Sequence, residues 1–523
     1  MRRTVWRSGG VAVAVLGALA LAAGGAEEPR RGGTLRLALI SNPTPNPITA
    51  PGGLSDIMPN KTLFNTLVRY DPKDLTPRPD LAESWSQSED GLTWTFRLRK
   101  GVRWHDGRPF TADDVKFTLE AMLDKKVNAR FRSAVDAVKA IEAPDPLTVR
   151  RHLKEPIASL PVLLAYNVAI VPRHLLEGKD LNAPSEFLRR PVGTGPFRFQ
   201  EAMSGDHFTV VANEAYHEGR PSLDAVAFRI VPNLNTQIAQ AKAGELDVIL
   251  LDPPQLDAVK DVPHLEVSTA PVPQYHFVAL NNQHPAFADR RVRQALAHGL
   301  DRSLIIDKVL QDKAELATGP IAPIIRWAYN PNVKKYPFDP ERAKALLSEA
   351  GWKPGAGGVL HKDGKPLAFT LLLDKGNPTR EQIGTIAQQY WKRLGLDVKL
   401  EFGEWNTVIQ RYRQWKYDAH LNWWFTAPDP DLFPYYSQGG SNNRFQYANP
   451  EVDRILREAR AERDERKAAR LYGRAQALIV EDQPAVFLYY PFEIRAIHKR
   501  VRGFAPVGYR DALAWLHRVS LAQ

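Results

Sequence analysis

Apolar and polar side chains alternate most clearly near residue 95. Trp94, Phe96 and Leu98 are separated by polar residues, which is the period of a strand with one buried face. Residues 88–91 before them have the composition of a turn, in which Gly91 is free to adopt a positive φ. The pattern therefore predicts a turn that leads into a half-buried strand.

The apolar residues that follow recur at the spacing of a helix. Val115, Leu119 and Met122 would share one helix face. Thr111 stands where an N-cap belongs, and Asp113 would lie at the positive end of the helix dipole. Together the two patterns predict a strand–loop–helix unit of an α/β or α+β domain.

Strand and helix patterns continue to alternate beyond this unit and before it. Residues 34–39 alternate as a first strand. Asn235 is placed to cap a helix that extends to Ala243, Gly244 stands at its C′ position, and residues 247–251 have the pattern of a buried strand. This half of the chain therefore has the alternation of an α/β fold.

The second half shows the same alternation. Helices are expected to begin after Asp289 and Asp339, each of which stands at an N-cap position. Residues 383–394 carry one apolar helix face that Gly395 closes, and residues 447–482 have the pattern of two helices. A buried strand is predicted at 484–490.

The length of 523 residues exceeds what one hydrophobic core supports, so two or three domains are expected. Two prolines within residues 270–281 precede a new strand, which predicts a first crossing between lobes, and the strand at 484–490 would bring the chain back. The predicted boundaries are lobe I at 27–271 plus 491–523 with an extra subdomain around 70–190, lobe II at 277–487, and hinge crossings at 272–276 and 488–490.

The composition is that of a folded globular protein, since 44% of the residues are hydrophobic and 25% are charged. The chain contains no cysteine. Disulfides, thiolate nucleophiles and cysteine-ligated zinc are therefore excluded.

The first 26 residues have the pattern of a secretory signal peptide. Three arginines precede an apolar run at 11–23, and small residues at 24–26 offer a cleavage site. A membrane span is the alternative, but it would need about 20 apolar residues. With no cysteine at the boundary, a lipoprotein anchor is not expected, and a soluble periplasmic protein is predicted.

Removal of this segment takes away three arginines and no acid, which lowers the formal net charge from +11 to +8. The excess of basic residues is scattered among acidic ones, without a Lys/Arg block beside stacking aromatics. The charge pattern therefore does not favour a nucleic-acid partner.

From Asp90 the chain reads DGLTWTFRLRKGVRWHDGRPFTADDV, which closely resembles the signature of the family-5 solute-binding proteins. These are the extracytoplasmic receptors of ABC importers for peptides, nickel and related solutes. Two further segments resemble the family, VGTGPF from Val192 and GELDVILL from Gly244. The signature marks the fold and not the ligand.

The resemblance implies an α/β, two-lobe periplasmic-binding-protein fold of type II, like that of the large peptide-binding proteins, with a hinge and an interlobe cleft. It implies a monomeric periplasmic receptor without a cofactor. Such a receptor would capture a peptide or similar small solute and deliver it to an ABC permease in the inner membrane.

Two residues of the signature, His105 and Asp106, have side chains that also occur in catalytic and metal sites. They stand in a Trp-His-Asp-Gly turn. The turn preferences of Asp and Gly favour a structural role, with the side chains hydrogen-bonded to the backbone of the turn.

The candidate ligand site lies at 419–436, which reads AHLNWWFTAPDPDLFPYY. Aromatic faces beside fixed carboxylates suit a ligand with an amine and an apolar body. The alternative is that the aromatics pack in a lobe core and the acids are solvated. In peptide-binding relatives this strand end supplies a Trp, and a later acid holds the peptide's amino group, so the resemblance favours a site. The candidate ligand-binding residues are Trp423, Trp424, Asp429, Asp431, Tyr275, Trp405 and Asn42.

The sequence lacks, at the expected positions, both residues that would hold the two ends of a dipeptide in the dipeptide-binding relatives. Phe425-Thr426-Ala427 contains no acid, so the amine anchor is missing or displaced to Asp429. The relatives' arginine after the strand at 369–373 is also absent, and Arg380 comes only later. A longer peptide held by its backbone stays possible, as does another cationic or aromatic solute. Thirteen histidines without a close ligand pair give no support to nickel.

An enzyme is the rival class of protein. No GxSxG, HExxH, SxxK or P-loop pattern occurs. A periplasmic hydrolase or a chaperone-like binder on the same fold remains the alternative to a receptor.

Overall fold

The computed structural model describes residues 31–50, 53–71, 75–426, 428, 430–505, 508 and 512–522. The predicted signal peptide at 1–26 and the candidate residue Asp429 lie outside the described residues. Within the described part of the chain, no helix is both long and apolar enough to cross a bilayer.

The described residues form both strands and helices along the whole chain. The strands are β1 Thr34–Leu39, β2 Val68–Tyr70, β3 Pro77–Pro79, β4 Ala82–Gln87, β5 Thr93–Leu98, β6 Val138–Asp145, β7 Thr148–Leu153, β8 Phe197–Met203, β9 His207–Ala212, β10 Ala225–Ile230, β11 Val248–Leu251, β12 Leu265–Pro271, β13 Gln274–Leu280, β14 Ala314–Leu316, β15 Lys353–Pro354, β16 Leu360–Lys362, β17 Lys365–Pro366, β18 Ala368–Asp374, β19 Asp397–Gly403, β20 Ala419–Phe425, β21 Ala485–His498, β22 Val501–Arg502 and β23 Ser520–Leu521.

The helices are distributed between these strands. They are α1 Leu54–Leu63, α2 Ala112–Leu123, α3 Leu160–Asn167, α4 Arg173–Leu176, α5 Glu186–Arg189, α6 Leu234–Lys242, α7 Arg290–His298, α8 Arg302–Leu304, α9 Pro340–Glu349, α10 Pro378–Arg393, α11 Trp405–Arg413, α12 Phe433–Tyr436, α13 Pro450–Ala461 and α14 Glu465–Asp482. The helix that Asn235 was predicted to cap instead begins two residues earlier, with Asn233 accepting a hydrogen bond from the Thr236 amide.

The strand–loop–helix unit predicted from the sequence is present. β5 lies in a four-stranded antiparallel sheet of order β4-β5-β7-β6. Thr111 precedes α2, and its amide donates to the Asp114 carboxylate at 2.9 Å, so the cap is made by both residues. This unit places a small sheet within the region predicted as an extra subdomain.

The His105 ring in that unit is held by the backbone of Gly193 and Gly195, in the family-like segment VGTGPF, and not by the backbone of its own turn. Its Nδ1 accepts from the Gly193 amide at 3.0 Å, and its Nε2 lies 3.1 Å from the Gly195 carbonyl oxygen. Burial lowers the pKa of His105 to about 4, which keeps the ring neutral. Asp106 contacts His174 at 2.6 Å. These contacts join three segments of the fold.

One large sheet runs through the molecule in the order β19-β18-β20-β13-β21-β11-β1-β10-β9-β8, with β12 and β14 also paired to β21. The long strand β21 joins its two halves. The first part of β21 pairs with β13 and β14, and from Phe492 onward it pairs with β12 and then with β11. The predicted crossing at 488–490 therefore lies inside a continuous strand.

Two large hydrophobic cores lie on either side of this junction. One contains buried residues between Tyr275 and Tyr490, and the other contains buried residues between Leu35 and Val248 together with Val501 to Val519. A smaller cluster packs α6 against β11, β12 and the end of β21. Separate cores agree with two lobes, while the exact boundaries at 271, 277, 487 and 491 stay a prediction.

A buried carboxylate holds the lobe I part of the sheet together. Asp247, with a fully buried side chain, accepts from Arg36 of β1 at 3.0 Å and from Arg500 beyond β21 at 2.8 Å. The Asp247 carbonyl oxygen also accepts from the His498 amide at 2.7 Å. Residues from three distant parts of the sequence thus meet at one side chain.

Candidate functional site

The sheet brings several strand ends to one edge of lobe II. β18 is parallel to both β19 and β20, so the carboxyl ends of these strands lie at the same edge. β13 is antiparallel to β20 and begins there, with Gln274 opposite Phe425. In α/β folds ligands bind at the carboxyl ends of parallel strands. The sequence-predicted residues Trp423, Trp424 and Trp405 lie near this edge.

The lobe II strands carry a hydrogen-bonded polar row on one face. The His276 ring stacks on Tyr489 with 4.4 Å between centroids, and the two side chains are joined by a 2.9 Å hydrogen bond. Gln274 contacts the other ring nitrogen of His276 at 2.9 Å, and Trp423 lies 6.5 Å away. Burial, with the nearby Arg380, keeps the pKa of His276 well below its usual range. The imidazole is therefore a neutral hydrogen-bonding group.

Arg380 lies beneath this row and supports an exposed aromatic ring. Its guanidinium pairs with Asp374 at 2.8 Å and donates to the Leu421 carbonyl oxygen. The guanidinium carbon lies 5.5 Å from the ring centroid of Trp405, whose side chain is 40% exposed. Trp405 thus offers an open aromatic face, as expected of a residue that contacts ligand.

Trp424 and Tyr275 belong to an aromatic cluster that packs against the lobe II core. The Trp424 centroid lies 4.7 Å from Tyr435, 4.9 Å from Phe445 and 5.0 Å from Phe277. Tyr275 is only 1% exposed and lies behind Trp424, which is half-buried. Both residues have the surroundings that the packing alternative predicted.

The remaining described candidates, Asp431 and Asn42, are engaged in contacts within the protein. Asp431 is buried and pairs with Arg460 at 2.9 Å. Burial raises the pKa of Asp431 although Arg460 opposes the shift. Asn42 is exposed, and its amide group bridges Ser204 and the Gly205 amide at 3.1 and 2.8 Å. Asp431 is thus not a solvated acid, and Asn42 joins the first loop to the β8–β9 turn.

A cavity of about 710 Å³ opens between segments of both lobes. Its walls come from residues 75–77, 158–162 and 271 on the lobe I side and from 315–327, 428 and 459–472 on the lobe II side. This volume falls within the range typical of small-molecule sites. Ile324 lines the cavity and packs against both large cores.

None of the described residues that line this cavity was among the ligand-binding residues predicted from the sequence. Trp327 meets Tyr472 edge to face at 5.8 Å and donates its indole N–H to the Pro428 carbonyl oxygen at 3.3 Å. Arg326 and Glu315 are exposed at the walls and make no ion pair with any described residue. Arg326 and Trp327 lie outside any strand or helix, Glu315 lies in the three-residue strand β14, and Tyr472 lies on α14. No local sequence pattern brings these separate segments together, so none pointed to the cavity.

Metal-ligating residues are not gathered in the described part of the chain. Over those residues, no group of three or more His, Asp or Glu side chains is arranged to hold a metal ion.

Comparison with known proteins places the chain in a family. The model described as bacterial extracellular solute-binding proteins, family 5 Middle, matches residues 76–445. The oligopeptide-binding protein AppA of Bacillus subtilis is 32% identical over 93% of this chain and 91% of its own length. The di/tripeptide-binding protein 2 of Pseudomonas aeruginosa is 31% identical over 86% of this chain and 88% of its length. The solved structure of the same AppA, in complex with a nonapeptide, has a TM-score of 0.82 and 31% identity, covering 95% of this chain and 100% of that one.

The chain therefore belongs to the family-5 bacterial extracellular solute-binding proteins. It is a substrate-binding receptor of an ABC transporter, with the two-domain α/β fold of the peptide- and nickel-binding proteins of that family. The resemblance drawn from the signature beginning at Asp90 is confirmed, and so is the predicted fold class.

Proposed function

We propose that this receptor captures a peptide in the cavity between its lobes. The observation that carries the proposal is the cavity of about 710 Å³, whose walls come from segments of both predicted lobes. Two relatives named for peptide binding match nearly the full length of the chain, and AppA was solved with a nonapeptide.

The cavity walls suit a ligand with charged ends and an apolar body. Arg326 is free to pair with a carboxylate, and Glu315 is free to pair with an amine. The cavity also has apolar and aromatic surface, which is supplied by Ile324, Trp327 and Tyr472. Arg326 and Glu315 would replace the two terminal anchors that the sequence lacks at the positions used by dipeptide-binding relatives.

The finer features of the receptor follow the same proposal. Lobe I would comprise 27–271 and 491–523, lobe II 277–487, and the crossings at 272–276 and 488–490 would serve as the hinge. The receptor would act as a monomer that binds no nucleic acid and does not hydrolyse its ligand. Trp405 and Trp423 are proposed to contact the ligand at the strand edge, and Asp429 stays a proposed anchor for a cationic group.

Peptide binding is expected to depend on Arg326. Arg326→Gln should weaken a peptide with a free C-terminal carboxylate by about ten-fold, because a charge-assisted hydrogen bond contributes about 1.5 kcal/mol or more. The same peptide with an amidated C-terminus should bind both proteins equally. Calorimetry with peptides of two to nine residues, chosen by mass spectrometry of co-purifying ligands, measures both affinities.

The control is Arg466→Gln, since Arg466 is exposed on α14 and makes no ion pair with a described residue. If Arg326→Gln and this control bind the peptide with a free C-terminal carboxylate equally well, Arg326 does not bind that carboxylate. Peptide recovered in shortened form after incubation would instead support the hydrolase alternative.

Export should remove the first 26 residues. We propose a periplasmic protein without a lipid anchor, since the apolar run at 11–23 is short and no cysteine follows it. N-terminal sequencing of the protein from the periplasmic fraction should begin at Glu27. Retention of Met1 in a membrane fraction would contradict this expectation.

A further inference from the structure

Arg463 of lobe II reaches across to the small sheet of lobe I. It lies in the short loop between α13 and α14. Its guanidinium donates to the carbonyl oxygens of residues 87–89, at distances between 3.2 and 3.4 Å. These carbonyls belong to the end of β4 and the turn that precedes β5. The side chain of one lobe thus satisfies backbone acceptors of the other.

Arg460, three residues earlier at the end of α13, makes a second bridge to lobe I, to the segment that follows β7. It contacts Glu155 of lobe I at 2.6 Å and Asp431 of lobe II at 2.9 Å, and its side chain is only 11% exposed. Its carbonyl oxygen accepts from the Ala158 amide at 2.9 Å. The guanidinium carbon also lies 5.3 Å from the Phe433 ring centroid. The arginine is therefore fixed on lobe II and bonded to lobe I.

We propose that Arg460 and Arg463 form an arginine clasp that holds the receptor closed around its ligand, a role that rests on the proposed interlobe capture. Both arginines line the large cavity, so the clasp forms one of its walls. The clasp therefore favours the same closed arrangement of the lobes as a ligand bound in the cavity does.

The clasp is also connected to the candidate ligand edge. Asp431 follows β20 closely, and its carboxylate accepts from the Phe433 amide at 3.1 Å while pairing with Arg460. The position of Arg460 thus depends on the loop that continues from Trp423 and Trp424. Rearrangement of that loop on ligand binding would move the clasp.

The energetic effect should be moderate, because opening exposes both sides of the clasp to water. Arg463 would exchange carbonyl oxygens for water, and Arg460 would lose Glu155 but keep Asp431. Loss of such partly exposed bonds is expected to lower the ratio of closed to open molecules by about five-fold. Because only the closed form encloses the ligand, the apparent peptide affinity follows the closed fraction of the free protein and should fall by no more than this factor.

Two variants weaken the clasp without leaving a buried charge unpaired. Arg463→Ala removes the bonds to 87–89, and Glu155→Gln removes a carboxylate that is 46% exposed. Arg466→Ala serves as the matched control, since Arg466 is an exposed arginine in the first turn of α14, three residues from Arg463. Since the chain has no cysteine, spin labels attached through Glu83→Cys and Lys467→Cys, both exposed, report one distance between the small sheet and α14.

Distance distributions are measured for the free protein and with a saturating nonapeptide. We expect the wild-type protein to show mainly a short distance between the two labels. Arg463→Ala and Glu155→Gln should each lower the ratio of short-distance to long-distance molecules by about five-fold. The thermal midpoints should stay unchanged. The control should match the wild type. If no peptide binds but the free protein shows this shift, the clasp stands and the peptide assignment fails.

Two results would overturn the clasp. One is identical distributions and affinities for the two variants and the control. The other is a wild-type chain that shows only the longer distance with and without peptide.

Discussion

Asp247→Ala should lower the free energy of unfolding by about 3 kcal/mol, since breaking a buried ion pair typically costs 3–5 kcal/mol and both arginine partners keep some contact with water. The carboxylate is fully buried, whereas the Arg36 and Arg500 side chains are about one-third exposed. Its loss removes charge-assisted bonds that join β1, the start of β11 and the end of β21. Denaturant unfolding of wild type and variant measures the difference.

The same variant should show how this stabilisation depends on pH. Burial acts to raise the pKa of Asp247, but hydrogen bonds from Arg500 and Arg36 outweigh it and hold the pKa below its usual range. The stabilisation is therefore full above the unfolded value of about 4 and is lost as the pH falls through the lowered folded pKa. The difference between wild type and Asp247→Ala should stay constant from neutral pH to about pH 5 and shrink below pH 4.

Asp257→Ala is the matched control, because Asp257 is 74% exposed and pairs with Lys260 on the surface at 2.7 Å. Its effect should stay below about 1 kcal/mol. A cost for Asp247→Ala no larger than that of the control would show that the buried carboxylate does not hold the sheet together.

Trp424→Ala should also destabilise the protein, by about 3 kcal/mol. The ring contacts Tyr435, Phe445 and Phe277, so truncation leaves a space within an aromatic cluster. Truncation of a buried aromatic costs about 3–5 kcal/mol, and the half-burial of Trp424 places it at the lower end. Unfolding curves recorded without ligand measure this cost.

Trp405→Ala provides the comparison for Trp424→Ala. Trp405 is 40% exposed, so its removal should cost less than about 1 kcal/mol of stability. If it stacks on ligand, the affinity should fall by about ten-fold. The reverse pattern, with Trp424→Ala stable but unable to bind, would make Trp424 the cleft wall that the sequence predicted.

The fold could be predicted from the sequence where local patterns determine local structure. The strand at Thr93–Leu98 and the helix after Thr111 have the bounds that alternation and capping indicate. The cap at Asn233 was missed because two asparagines stand two residues apart, and only the path of the preceding loop decides between them.

The candidate site could be predicted only in part, because it depends on contacts between distant residues. Arg380 appeared too far along the chain to matter, yet α10 turns it back under Trp405 and onto the Leu421 carbonyl. Asp431 was predicted to bind ligand, with a solvated loop acid as the alternative, and neither interpretation included the ion pair with Arg460 that the fold creates. Arg326 and Trp327 line a cavity whose other wall lies far away in the sequence.

The long strand β21 has a consequence for the order in which the chain folds. It pairs with strands from both halves of the large sheet, yet it lies close to the C-terminus. Neither half can complete its hydrogen bonding until nearly all residues have been synthesised. Such non-local pairing slows folding. A newly made chain that folds slowly stays unfolded for longer, which would give an export machinery more time to engage it.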